Sequence, residues 1–333
     1  MSIGTQFALF AMAAAASLSL SWLLVTRLER LGQRLGLSEA LLGLIAALAA
    51  DTPEITSSVT ALLHGQRDVG AGVVIGSNVF NLAALLGLGA IVAGSFVLHR
   101  RVVVLGGAVA IWVAVVTVTA MSGWVSAPVA LGATLIILVP YVVVLGAHRR
   151  GLRGFGLPER WRRWLESAIE EEESELDAAL DRHRGTGADL VVAVVALVIV
   201  LLASILMEQT ATRIGAHYSV PGLVIGGIVL AAVTSLPNAV AAVYLAAKGR
   251  GAATLSTALN SNSLNVVAGL LIPAVLLGLS HPSGASTAVG TSYLALTVVA
   301  LGFAYLQRGL RRSAGVVIVL CYLVFVAALL AAT

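Results

Sequence analysis

The sequence predicts an all-α polytopic membrane protein with ten transmembrane helices in two inverted five-helix repeats. Three observations carry that expectation. The 333 residues are 59% hydrophobic and only 11% charged, against roughly a quarter charged in soluble domains. The apolar residues fall in stretches long enough to cross a bilayer, which takes about 20 residues in a helix. Shifted by 184 positions, the chain superposes on itself at a set of polar residues. Such a composition excludes a soluble enzyme and a receptor with a large outside domain. Cys321 is the only cysteine, so no intrachain disulfide forms and the fold has to hold by helix packing.

Taken in order, the apolar stretches lie at about 3–26, 38–63, 69–95, 102–121, 125–147, 189–212, 219–247, 251–279, 286–307 and 313–332. The first follows MSIGTQFALF, which lacks the basic n-region of a cleaved signal peptide, so it reads as a retained span. The second is interrupted by Asp51, Pro53 and Glu54, and the third carries GSNVFN. The fourth and fifth have no charged residue. The sixth holds Glu208 near its far end; the seventh is broken at Pro237, and the eighth carries NSNSLN. The ninth and tenth are again uncharged.

All but two of the 20 Lys and Arg follow odd-numbered spans, the exceptions being Arg67 and Arg213. The positive-inside bias therefore places both termini outside and the long 148–187 loop in the cytoplasm. The net charge of +4 marks that inner side and does not imply a nucleic-acid partner. The loop divides the chain into a first half, 1–147, and a second half, 188–333. Within the loop, PERWRRWLESAIEEEESELDAALDRHR reads as a helix with Trp161, Trp164, Leu165 and Ile169 on one stripe, suited to a membrane surface. A cation site in its acidic run, 170–177, is disfavoured, because calcium sites need a turn that gathers oxygen ligands. The expected location is a prokaryotic inner membrane. The bilayer is the one macroscopic partner; no protein partner is legible.

The repeat pairs the segment 38–95 with 219–279. Gly43 falls on Gly227, Pro53 on Pro237, Gly65 on Gly249, Ser77 on Ser261, Asn78 on Asn262 and Asn81 on Asn265. Because each half has an odd number of spans, the two copies enter the membrane from opposite sides. Inverted repeats of this kind place a transport site at their interface near the midplane. A duplication kept only for packing would match at apolar positions, whereas these matches concentrate on Pro, Ser and Asn.

Asp51 and Glu54, three residues apart, share one helix face. Carboxylates at that depth are costly and mark an ion or proton path. Pro53 lacks an N–H and so frees the carbonyl oxygen of Ala49; Pro237 does the same for Val233. Ser77 and Asn81, and likewise Ser261 and Asn265, sit at i and i+4 opposite the proline-broken spans and are expected to line a site. Asn78 and Asn262 are expected to hydrogen-bond between helices. Carboxylate, carbonyl, amide and hydroxyl oxygens with no thiolate or imidazole nearby suit a hard metal cation or a proton. Glu208 reads as an interfacial residue paired with Arg213. The six histidines all fall at span ends or in loops. No GxSxG or HExxH motif occurs, so neither enzyme chemistry nor a cofactor is expected.

At these residues the sequence resembles the sodium/calcium exchangers of the calcium/cation antiporter superfamily, with ten spans, two inverted halves and paired alpha repeats. Their G-T-S-x-P-E and G-S-N-x-F-N elements match AADTPE, 49–54, and GSNVFN, 76–81; their T-S-x-P-E and G-S-N-x-F-D elements match TSLPN, 234–238, and NSNSLN, 260–265. The resemblance implies that Glu54 binds the transported cation and that Ser77, Asn81, Thr234, Ser235 and Ser261 line its site. The sequence departs from the pattern at Asp51, where the family has serine, at Asn238, where it has glutamate, and at Asn265 in the last element. One acid has left the second half and one has entered the first. The implied function is secondary cation antiport, with calcium the substrate by resemblance and sodium or a proton as counter-ion. A proton-coupled calcium or other cation antiporter, or a passive cation channel, would use a similar lining.

Overall fold

A computed structural model describes residues 2–35, 39–146, 156, 158–177, 185–279 and 282–331. The described chain is nearly all helical: α1 (Ile3–Arg34), α2 (Glu39–Ala50), α3 (Thr52–Leu63), α4 (Arg67–Ala93), α5 (Arg100–Met121), α6 (Ala127–Gly146), α7 (Glu159–Asp177), α8 (Gly187–His217), α9 (Gly222–Thr234), α10 (Leu236–Ala247), α11 (Gly251–Leu277), α12 (Gly284–Gln307) and α13 (Arg312–Ala331). Eight of these, α1, α4, α5, α6, α8, α11, α12 and α13, are long and apolar enough to cross a membrane. The pair α9 and α10, bent by 50°, makes up to nine. The chain is an integral, multi-pass membrane protein. The second predicted span is the pair α2 and α3, 12 residues each, which break at Asp51. His148, His183 and His281, and the arginines at 149–153, 182 and 184, lie outside the described residues.

Burial sorts the helices. In its most apolar window α4 is 94% buried and α11 72%, against 28% for α6 and α13. The two helices that carry the Ser/Asn motifs are thus the innermost, where an unmatched polar group costs most. Both change winding at the motif. A π-helical stretch, Leu82–Leu88, follows Asn81 directly, and another, Asn265–Leu271, begins at Asn265. A third, Ile225–Leu230, lies in α9. Such widened turns are commonly found at functional positions.

The turns around 64–66, 122–126 and 218–221 gather with 282–283 at one end of the bundle, here the termini face: Gly123 lies against Pro282, and Arg67 reaches the Leu279 carbonyl. The opposite end, the arginine face, carries α7. There Arg101 donates to Ser167, and Ala168 and Ile169 are buried while Trp161 is exposed. The amphipathic helix expected in the long loop is present, but its stripe is divided, with Ile169 inward and Trp161 outward. The side chains of 171–177 lie outside the described residues.

Two features went beyond the sequence reading. At the arginine face β1 (Ser95–Val97) pairs antiparallel with β2 (Gly309–Arg311), with Phe96 opposite Leu310. Gly309 has φ +148°, and a Cβ on it would fall 2.2 Å from the Phe96 carbonyl oxygen, so only glycine fits. Towards the termini face α4 and α9 touch backbone to backbone: a Cβ on Gly76 would stand 2.2 Å from the Gly227 oxygen, and one on Gly226 2.2 Å from the Val69 oxygen. Small residues permit such close approach where no hydrophobic drive separates lipid from helix.

Candidate functional site

Both proline-broken spans break one turn before an acid or amide. Asp51 caps the start of α3 with Pro53 in the first turn, and Ser235 occupies the equivalent position ahead of α10 with Pro237. Proline is well tolerated in a first helical turn, where the N–H has no partner anyway. The breaks bring Asp51 and Glu54 of one half against Ser235 and Asn238 of the other, all four fully or almost fully buried.

The contacts join the halves directly. Asn238 Nδ2 and Ser261 Oγ each donate to Asp51 Oδ1 at 2.6 Å. Ser235 Oγ donates to Glu54 Oε1 at 3.0 Å. Asn81 Nδ2 reaches Ser261 Oγ at 3.2 Å and Asn262 Oδ1 at 3.1 Å. Asn78 and Asn262 exchange side-chain-to-backbone bonds, each Nδ2 donating to the other's carbonyl at 3.0 Å. That is the interhelical role expected of this pair, and the reciprocity matches two residues related by the 184-position shift. Asn265 Nδ2 approaches Asn78 Oδ1 at 3.5 Å.

Five buried oxygens near this network have no hydrogen-bond partner: Asp51 Oδ2, Glu54 Oε2, Ser77 Oγ, Asn81 Oδ1 and Asn265 Oδ1. A buried oxygen left unmatched costs about 1–3 kcal/mol, more if charged, so these oxygens are acceptors that the protein's own donors leave unsatisfied. Thr234 is buried too, but its hydroxyl donates to the Leu230 carbonyl of its own helix at 2.9 Å. Ala49 is buried beside the first break, while at the second the Ser235 N–H turns back towards the carbonyls of Ala231 and Val233.

A cavity of about 500 Å³ lies beside these breaks, lined by Trp22, Glu29, Gly43, Ala50, Asn238 and Tyr244 among others. On the termini side α4 and α9 are in close backbone contact at Gly72, Gly76, Gly226 and Gly227.

Glu208 differs from the sequence reading. It is fully buried, not interfacial. Its Oε1 accepts from Thr212 Oγ1 at 3.1 Å, and its Oε2 lies 4.0 Å from His64 Nδ1 of the turn after α3. The spacing along α8 suggested Arg213, but that residue follows Thr212 round the helix, and His64 enters from another element. Two further links escaped the sequence. Ser58 Oγ bridges to the Gly70 and Gly269 carbonyls at 2.9 and 2.8 Å, and Tyr141 donates to Asn260 Oδ1 at 2.9 Å. Neither has a motif to signal it, since each depends on which helices become neighbours.

The family model described as sodium/calcium exchanger protein matches residues 5–147 and 189–331, one block in each half. The chain belongs to the sodium/calcium exchanger family. Its relatives include the inner membrane protein YrbG of Escherichia coli, 25% identical over 72% of this chain and 70% of that protein. The putative antiporter CaxA of Alkalimonas amylolytica is 40% identical over 23% of this chain and 24% of its own length. Human sodium/potassium/calcium exchanger 4 is 38% identical over 22% of this chain and 12% of its length. The chain thus matches about a quarter of CaxA and less of the human exchanger. Among solved structures, the sodium-calcium exchanger NCX_Mj superposes with a TM-score of 0.65 at 19% identity, over 98% of this chain and 99% of that one. The fold is that of this exchanger.

Proposed function

We propose that this exchanger-family protein is a sodium/calcium exchanger-like antiporter moving a hard cation by alternating access. The site is built from Asp51, Glu54, Ser77, Asn81, Ser235, Asn238, Ser261 and Asn265, with the Thr234 hydroxyl and the Ala49 and Val233 carbonyls at its edge. The observation that carries the reading is the set of five buried oxygens with no hydrogen-bond partner among the described residues, two of them from the carboxylates of Asp51 and Glu54. Calcium is the first-choice cargo, because two carboxylates supply the charge of a divalent ion and the remaining ligands are hard oxygens.

In this reading the ten spans form two inverted five-helix repeats, α2 with α3 and α9 with α10 each serving as one broken span. The arginine face is cytoplasmic, both termini are outside, and the membrane is a prokaryotic inner membrane. With Asp51 and Glu54 fully buried, the conformation is then occluded, with the Gly72, Gly76, Gly226 and Gly227 contact as the closed outer seam. An exchanging site alternates which seam is closed.

Vesicles containing the purified protein test it. Labelled calcium should accumulate only when sodium or protons are loaded inside, and should not follow an imposed membrane potential alone. Uptake indifferent to every counter-ion gradient removes antiport of calcium by this chain.

A further inference from the structure

The buried carboxylate of Glu208 belongs to no part of the network above. It sits on α8, away from the two breaks, and is 0% exposed, yet among the described residues its only hydrogen bond is from Thr212. Oε2 has none. The nearest ionisable group is the His64 imidazole, 4.0 Å away, and that side chain is half exposed at the termini face. Among the described residues the other charged or titratable groups at this end are Arg67 and Asp68 at the head of α4, and Arg213, His217 and Tyr218 at the end of α8. The stretch of α1 packed against α8 contributes Gln6, Ala13, Ala14 and Ser17 and no titratable side chain. Thr212 lines a cavity of about 720 Å³ at the termini face, together with Gln66, Arg67 and Asp68.

A buried carboxylate with one hydroxyl donor is too poorly matched to stay charged alone, and the two groups are too few for a metal ion. Among the described residues no three of His, Cys, Asp and Glu come together. The ligand these atoms suit is a proton. We propose that Glu208 and His64 form a proton-binding site open to the termini face. Glu208 Oε2 holds the proton, and the His64 ring exchanges it with water.

The pair has a position that matters to the rest of the molecule. His64 ends α3, the helix whose first turn carries Glu54. Ser57, between them, directs its Oγ at the Ser204 carbonyl at 3.5 Å, one turn before Glu208 on α8. Glu54, Ser57, Ala61 and His64 fall at helical spacing on one face of α3, and Ser204, Glu208 and Thr212 on one face of α8. Because His64 ends α3 and Glu208 lies on α8, gain or loss of the proton on Glu208 alters the contact between these two helices.

The proton site stands apart from the transport reading and is tested without transport. Infrared difference spectra of the purified protein in vesicles, as pH is stepped, should show a carboxylic-acid stretching band that is absent in Glu208→Gln. In His64→Gln the band should remain, with its titration midpoint displaced. The band should respond when the medium on the termini side is stepped, and not when only the other side is. An unchanged spectrum in Glu208→Gln overturns the site, and an unmoved midpoint in His64→Gln overturns the role of the histidine. Should Glu208→Gln fail to fold, wild-type protein with ¹³C-labelled glutamate carboxyls carries the test: a labelled acid band that His64→Gln does not move counts against the proposal.

Discussion

The two proline breaks, at Asp51–Glu54 and at Ser235–Asn238, are related by the 184-position shift and yet have opposite chemistry. The first presents two carboxylates, the second a hydroxyl and an amide that donate to them. Where both breaks carry acids, each half contributes charge to a shared ion. Here one half supplies the charge and the other supplies the donors that hold it in place. The comparison teaches that the centre can keep two carboxylates while the symmetry of the repeat is lost. Asp51 Oδ1 is held by two short bonds from the second half, which leaves Oδ2 free.

The largest effect expected is from Glu54→Gln, which removes one of the two buried carboxylates of the proposed site and should abolish counter-ion-driven uptake in vesicles. Asp51→Asn should come close to it: the substitution removes charge and also sets an amide against Asn238 Nδ2. Full activity in Asp51→Asn would show that the asymmetry is incidental. The double variant Asp51→Ser with Asn238→Glu restores one acid to each break. It should keep transport while shifting the order of preference among calcium, strontium and sodium in competition assays. An unchanged order would break the comparison.

Two smaller effects bear on the seams. Gly76→Ala drives a methyl into the Gly227 backbone and should lower stability by about 1–3 kcal/mol, read as a reduced melting temperature in detergent. Gly43→Ala, at the position equivalent to Gly227, faces the open cavity and should be close to neutral in melting temperature. Arg27→Ala should matter least. Its bond to Asp189 is short, 2.7 Å, but Arg27 is partly exposed and Arg30 lies 3.8 Å from the same carboxylate oxygen, so the loss should be about 1 kcal/mol or less.

Much of this was legible in the sequence because the membrane makes polar residues scarce. Asp51, Glu54, Asn81 and Asn238 stand out against an apolar background, and the shift of 184 positions pairs their helices before any contact is known. What stayed hidden depends on tertiary neighbours. The Glu208 and His64 contact joins α8 to the end of α3, and nothing in the spacing along either helix predicts it. The π-helical turns after Asn81 and from Asn265 contain Gly87 and Gly269 but no proline, and a single glycine inside an apolar helix does not announce a change of winding. The glycine contact of α4 with α9 needed coordinates, although Gly72, Gly76, Gly226 and Gly227 were visible as glycines.

The small ladder between Phe96 and Leu310 also says something about how the molecule comes to be made. Its strands lie roughly two hundred positions apart, and so remote a pairing forms only after the intervening loop has been closed. The end of α4 therefore gains this contact at the arginine face only after Gly309–Arg311 has been synthesised. A chain truncated before Gly309 would carry every residue of the candidate ion site and still lack the clasp that fixes the helix bearing Asn81.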